Sequence, residues 1–200
     1  MAKTTPALPT GPLRDLLLWW RQTRVKGVII GGLAVAFHGR PRLTRDVDAI
    51  VFVEEERWAK FVDKGKQFSF RSRSADVLKL AKETRVLLVH HEPSGIDVDL
   101  IVAGILFEEQ VLERAKKVKV ARLSVPVATA EDMIILKAIA NRPIDLRDLD
   151  GLFDSSTQLD YAYIRKNAEH FAAILDTPKI LEDLDPRLLE HEKLHRSKKK

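Results

Sequence analysis

The stretch Val28-Ile29-Ile30-Gly31-Gly32-Leu33-Ala34-Val35-Ala36-Phe37-His38-Gly39-Arg40-Pro41-Arg42-Leu43-Thr44-Arg45-Asp46-Val47-Asp48 decides how the rest of the chain is read. Val28 to Ile30 is a short apolar run of the kind found in a buried strand, and Gly31-Gly32 ends it. Leu33 to His38 reads as a helix starting directly after the glycines and stopped at Gly39-Arg40-Pro41. Asp46 to Val53 alternates at first and then becomes wholly apolar, as a strand does when one end faces a cleft and the remainder is buried.

Two chemical consequences follow. Asp46 and Asp48 are two residues apart on a strand, so both side chains point to one face, separated by roughly 6–7 Å. Paired carboxylates suit Mg²⁺, which takes carboxylate and phosphate oxygens and keeps water in the rest of its shell. Gly31-Gly32 brings bare backbone to a helix start, where a phosphate can approach closely. A third carboxylate is expected from a neighbouring strand if two metals are to be held. Asp99 is the choice, in Ile96-Asp97-Val98-Asp99-Leu100-Ile101-Val102, because an aspartate in so apolar a run is costly unless paired or metal-bound. Asp97 shares its face and is the fallback.

Outward from this segment, helices are expected over Leu13–Arg24, Glu54–Lys64, Ala75–Lys82 and Phe107–Lys117. Strands are expected over Thr84–His90, Ile96–Val102, Val118–Leu123 and Val125–Val127, while Gln67–Arg73 reads either way. Past Ala128 the strand signals stop. Thr129, with Asp132 three residues on, caps a helix through Ala140, and helices follow at Pro143–Phe153, Tyr161–Leu175 and Pro178–His195. The expected organisation is a flexible segment 1–12, an α/β domain 13–128, a helical region 129–195 and a basic tail 196–200.

Composition narrows the function. With 200 residues the chain can bury a proper core, and the absence of cysteine removes thiol nucleophiles, zinc–thiolate sites and disulfides, in keeping with a reducing, cytoplasmic setting. Leu16-Leu17-Leu18-Trp19-Trp20 is too short and too closely flanked by charge to span a bilayer, so no membrane partner is expected. Lys plus Arg exceed Asp plus Glu by 34 to 29, and part of the excess lies in His195-Arg196-Ser197-Lys198-Lys199-Lys200, which reads as a solvated tail and suits an RNA partner. No Gly-Lys-Ser/Thr follows a strand, which removes Walker-type phosphate binding. His90-His91 reads as an exposed turn, and Trp19, Trp20 and Trp58 as packing residues.

The segment Gly31 to Asp48, Gly-Gly followed at a distance by Asp-x-Asp, resembles the signature of the DNA polymerase β-like nucleotidyltransferase superfamily. Its Gly-Gly-x-Ala opening and Arg-x-Thr-x-Asp-x-Asp closing are similar to the AbiEii/AbiGii-type group, toxin components of bacterial toxin–antitoxin and phage-defence systems. The likeness continues through Asp99-Leu100-Ile101, Ala130-Glu131-Asp132-Met133-Ile134-Ile135-Leu136-Lys137 and Arg142-Pro143-Ile144-Asp145-Leu146-Arg147-Asp148-Leu149. It departs from the group at Ile144, where a lysine is usual. The resemblance implies an α+β fold, a mixed sheet with flanking helices followed by a C-terminal helical part. It implies Asp46, Asp48 and Asp99 as catalytic metal ligands for two Mg²⁺, with Gly31, Gly32, Arg42, Thr44, Lys137 and Asp148 on the nucleotide. The implied reaction moves a nucleoside monophosphate from an NTP to a hydroxyl of a tRNA 3′ end or a protein side chain, in a chain that has a cognate antitoxin. The alternative is a catalytically inactive domain of this fold that binds nucleotide, RNA or a partner protein.

Overall fold

The computed structural model describes residues 8–39, 44 and 46–196. Two compact units divide the chain, one formed by Met1–Ala34 and Arg42–Ala128, the other by Val35–Pro41 and Thr129–Lys200.

The first unit is built on a mixed seven-stranded sheet. Its strands are β1 (Lys26–Ile29), β2 (Asp46–Phe52), β3 (Phe70–Ser72), β4 (Val86–His91), β5 (Ile96–Val102), β6 (Lys116–Val120) and β7 (Leu123–Val127). They lie in the order β3-β4-β5-β2-β1-β7-β6, with β2/β5 and β1/β7 parallel and the other neighbours antiparallel. The central strands β2 and β5 carry the Val- and Ile-rich runs, and one face of both is fully buried while the other is buried only in part.

Register and alternation sort the faces. Val47, Ala49 and Val51 of β2 lie with Val98, Leu100 and Val102 of β5 on one face, and all are buried. Helices α1 (Thr10–Thr23) and α3 (Trp58–Gly65) cover that face, α2 being Gly31–Phe37. Trp19 of α1 is fully buried, stacks on Phe61 of α3 at 4.3 Å and on Phe70 of β3 at 5.2 Å between ring centroids, and donates its indole N–H to the Phe61 carbonyl at 3.0 Å. The aromatic stack and the satisfied N–H explain why a tryptophan is tolerated at the centre. The opposite face, which carries Asp46, Asp48, Asp97 and Asp99, is more open.

Three elements differ from the sequence expectation. The helix expected over Phe107–Lys117 is α5 (Leu106–Arg114), and Lys116 already begins β6. The lysines of Lys116-Lys117-Val118-Lys119-Val120 alternate with buried or half-buried valines, the period of an edge strand, and such lysines also deter pairing with another chain. Glu54–Lys64 opens with a 3₁₀ turn, Glu55–Arg57, before α3. The ambiguous Gln67–Arg73 contains β3, and α4 (Val77–Thr84) follows it.

The second unit is helical, with α6 (Ala130–Ala140), α7 (Pro143–Ser155), α8 (Tyr161–Ile174) and α9 (Lys179–Arg196). Thr129 caps α6 by accepting the Asp132 N–H at 3.2 Å, while its hydroxyl donates to the Asp132 carboxylate at 2.7 Å. Pro143 stands at the first turn of α7, and Asp145 reaches back to the Arg142 N–H at 3.2 Å. Leu149, Leu152, Ile164, Leu184 and Leu188 are buried with no more than 1% exposure and form this unit's core. Among the described residues no helix is long and apolar enough to cross a membrane.

Candidate active site

The acidic residues meet through sheet register. In the parallel β2/β5 pair Asp46 lies opposite Asp97 and Asp48 opposite Asp99, so four carboxylates share one face of two adjacent strands, roughly 4.8 Å apart across the pair. Asp46 is exposed and Asp48 half-buried, at the end of β2 nearest the glycine turn. Thr44, just before the strand, donates its hydroxyl to the Asp46 carboxylate at 2.7 Å and so fixes that side chain.

Gly31 is joined to this cluster by a close approach. The Ile30 N–H donates to the Asp48 carbonyl at 2.9 Å, which delivers the chain beside β2. Gly31 then turns with φ +65°, and a Cβ placed there would lie 1.9 Å from Asp48 Oδ2. Only glycine combines that conformation with that contact. Gly32 follows in the first turn of α2, where the amides have no intrahelical acceptor. The structure thus brings together Gly31, Gly32, Thr44, Asp46, Asp48, Asp97 and Asp99. The role expected for Arg42 lies outside the described residues.

Two further residues complete the acidic cluster, and sequence reasoning missed both. Arg73, just past β3, donates Nη1 to Asp97 Oδ2 at 3.0 Å and Nη2 to Asp99 Oδ1. His90 of β4 bonds through Nδ1 to Asp97 Oδ1 at 2.7 Å. The His90-His91 pair is therefore no turn: the two side chains point to opposite faces of β4, and His91 is buried between Ser94 and Asp15, with Nε2 3.0 Å from Asp15 Oδ2. The Phe70/Ser72 alternation in β3 sets Arg71 and Arg73 on the opposite face from Phe70, and that alternation is the sequence signal that could have found them.

Electrostatics separates Asp97 from Asp99. The His90 hydrogen bond, helped by Arg73 and opposed by partial burial, holds the Asp97 carboxyl below its ordinary value. Burial pushes Asp99 up; Arg73 opposes this, and the neighbouring Asp46 and Asp97 carboxylates add to it. An all-oxygen donor set of Asp46, Asp48 and Asp99 fits Mg²⁺ in chemical kind. As the side chains stand, no three His, Cys, Asp or Glu groups among the described residues converge closely enough to hold a metal ion. Asp99 is instead engaged by Arg73.

In the second unit Lys137 and Asp148 are side by side. The Lys137 ammonium lies 2.8 Å from Asp145 Oδ1 and 2.9 Å from Asp148 Oδ2, with all three side chains buried. Arg142 also pairs with Asp145, at 2.6 Å. As placed, the lysine charge is matched inside its own unit and ties α6 to α7.

Residues 13–185 match the family described as nucleotidyl transferase of unknown function (DUF2204). The chain belongs to this nucleotidyl transferase family. No curated protein sequence matches it. Solved structures with a similar fold include an antigenic nucleotidyltransferase-like protein from Paracoccidioides brasiliensis, with TM-score 0.54 and 14% identity over 86% of this chain and 90% of that one. The lincosamide antibiotic adenylyltransferase LnuA, bound to lincomycin, has TM-score 0.53 and 15% identity over 72% and 96%. ANT(2")-Ia in complex with adenylyl-2"-tobramycin has TM-score 0.55 and 15% identity over 81% and 95%. At these identities the likeness establishes the fold: α+β, the nucleotidyltransferase arrangement of a mixed sheet with helices.

Proposed function

We propose that this nucleotidyl transferase is magnesium-dependent and moves a nucleoside monophosphate from an NTP to a hydroxyl acceptor. The observation that carries this reading is the register of β2 on β5, which sets Asp48 opposite Asp99 while Gly31 lies against Asp48. Asp46, Asp48 and Asp99 are the residues to hold Mg²⁺, with Asp97 kept on His90 and Arg73. When bound, Mg²⁺ neutralises triphosphate charge and lowers the pKa of an acceptor hydroxyl.

The chain's own groups supply position and a proton acceptor. Gly31 and Gly32 offer close backbone approach and first-turn amides to the triphosphate, and Thr44 keeps Asp46 oriented. Asp99, whose pKa is raised chiefly by burial, accepts the acceptor hydroxyl's proton on its carboxylate. The acceptor oxygen bonds to the α-phosphorus as the bond to the bridging oxygen breaks, and pyrophosphate carries that oxygen away. No covalent enzyme intermediate is needed, so catalysis rests on orientation and charge.

The acceptor in this proposal is a tRNA 3′ end or a protein hydroxyl, and the biological role that of a toxin held by a cognate antitoxin. The likeness of Gly31–Asp48 to AbiEii-type sequences and the basic balance of the chain support it. The test is incubation with each α-labelled NTP, Mg²⁺, and tRNA or protein extract. Label should enter one acceptor class and vanish in Asp46→Asn and Asp48→Asn. Equal labelling by those variants would sink the metal role, and Mg²⁺–NTP binding without transfer to any acceptor would leave a nucleotide-binding module.

A further inference from the structure

Arg73 stands where a second cation would be least welcome. Its backbone N–H donates to the Leu88 carbonyl at 3.0 Å, extending the β3/β4 pairing by one residue. Leu88 is in register with Asp99, so Arg73, Leu88 and Asp99 form one row across three strands. The guanidinium fork then divides between two carboxylates, Nη1 on Asp97 and Nη2 on Asp99. Asp97 has both oxygens engaged, one by Arg73 and one by His90.

We propose that Arg73 is an internal cation that competes with the divalent metal for Asp99, while Asp97 and His90 retain the guanidinium when Asp99 turns to the metal. This rests on the metal role proposed above for Asp46, Asp48 and Asp99. A guanidinium does not lose its proton in a protein, so it cannot yield the carboxylate by becoming neutral. It can only give up one arm of its fork. Asp97 makes that possible: the Nη1 contact persists on a carboxylate that His90 fixes from the other side. Asp97 is on this account a positioning residue, and its place opposite Asp46 does not make it a metal ligand.

The strength of the competition follows from exposure. The Arg73 and Asp99 side chains are 28% and 37% exposed, so their pair belongs with partly solvated ion pairs and its loss should tighten metal binding by roughly three- to fivefold. A hold of that size delays metal at Asp99 without preventing it. It keeps the Asp99 carboxylate neutralised until the ion arrives.

The test is calorimetric titration of the full chain with Mn²⁺ at low ionic strength, without nucleotide, with circular dichroism and Tm as checks on folding. Arg73→Gln should bind Mn²⁺ three- to fivefold more tightly than the wild type. Asp97→Asn should bind it more weakly, because the whole fork then falls on Asp99. In an Asp99→Asn background Arg73→Gln should give no gain. Unchanged or weaker binding by Arg73→Gln overturns the competition, and so does a gain that persists without Asp99, since that reports only a general loss of positive charge. Should Arg73→Gln fail to fold, Arg73→Lys, which keeps the charge and loses the fork, must bind Mn²⁺ more tightly than the wild type for the proposal to stand. Absence of Mn²⁺ binding in the folded wild type and every variant overturns the metal site itself, an outcome distinct from a wild type that binds and a variant that gains nothing.

Discussion

Replacing Gly31 by alanine tests the site where sequence, backbone and chemistry meet. The new Cβ would lie 1.9 Å from Asp48 Oδ2, 2.7 Å from its Cγ and 2.8 Å from its Cβ, whereas ordinary contact begins at about 3.4 Å. A change of Asp48 rotamer relieves the oxygen clash but not the one with Asp48 Cβ, so the backbone of β2 or of the turn must shift, and the carboxylate with it, by about 1 Å or more. A displacement of that size in a positioned catalytic group costs about 100-fold in rate, or about 2.7 kcal/mol. The φ of +65° adds backbone strain of about 1–2 kcal/mol, which lowers Tm by several degrees. Gly95 supplies the control. It has φ +67° with nothing within 4 Å of a built Cβ, so Gly95→Ala should lose the strain-derived stability alone, without the catalytic loss. The assay is kcat/KM for transfer of labelled nucleotide, beside thermal melts of both variants. If Gly31→Ala transfers label as well as Gly95→Ala does, the contact between the glycine turn and Asp48 plays no part in catalysis.

Lys137→Met should destabilise the folded chain by about 3–5 kcal/mol in urea titration, because it leaves Asp145 and Asp148 buried without their shared cation. A stable variant with lost NTP binding would instead show that the lysine serves the nucleotide. Trp19→Ala should cost about 3–5 kcal/mol by the same measurement, since it empties the stack with Phe61 and Phe70. The Asp15 carboxyl is held below its ordinary value: burial pushes it up, and hydrogen bonds from Arg14 and His91 outweigh that. A depressed folded pKa stabilises the fold above the unfolded value of about 3.9, and this is lost as the pH falls through the folded one. Asp15→Asn should therefore lower Tm at pH 7 and flatten the fall in Tm below about pH 4; an unchanged acid limb would contradict the pairing.

The placement of Asp46, Asp48, Asp97 and Asp99 on one face was legible because period-two alternation is a local property and each strand carried it within seven residues. Gly31 was legible as a turn, but its contact with Asp48 was not, since that depends on β1 and β2 pairing antiparallel. Arg73 escaped notice for a related reason. Gln67-Phe68-Ser69-Phe70-Arg71-Ser72-Arg73 has no apolar run, and β3 is a three-residue edge strand whose existence is decided by pairing with β4. The histidine pair misled because adjacent residues in a strand face opposite ways, so His90 and His91 never act together. Lys116 and Lys117 looked like the end of a helix because lysine is a good helix former, and the alternating valines after them carried the stronger signal. Lys137 was assigned to the nucleotide by resemblance alone, and only tertiary packing of α7 on α6 shows two carboxylates against it.

The parallel register of β2 on β5 also bears on how the chain finds its fold. Sliding or twisting either strand by a single residue would drive its aspartates into the apolar layer between the sheet and α1 and push valines out to water. Each ionised carboxylate so trapped carries a penalty of several kcal/mol, enough to discard the misaligned sheet. The acidic groups chosen for chemistry thereby proofread the assembly of the strands that bear them.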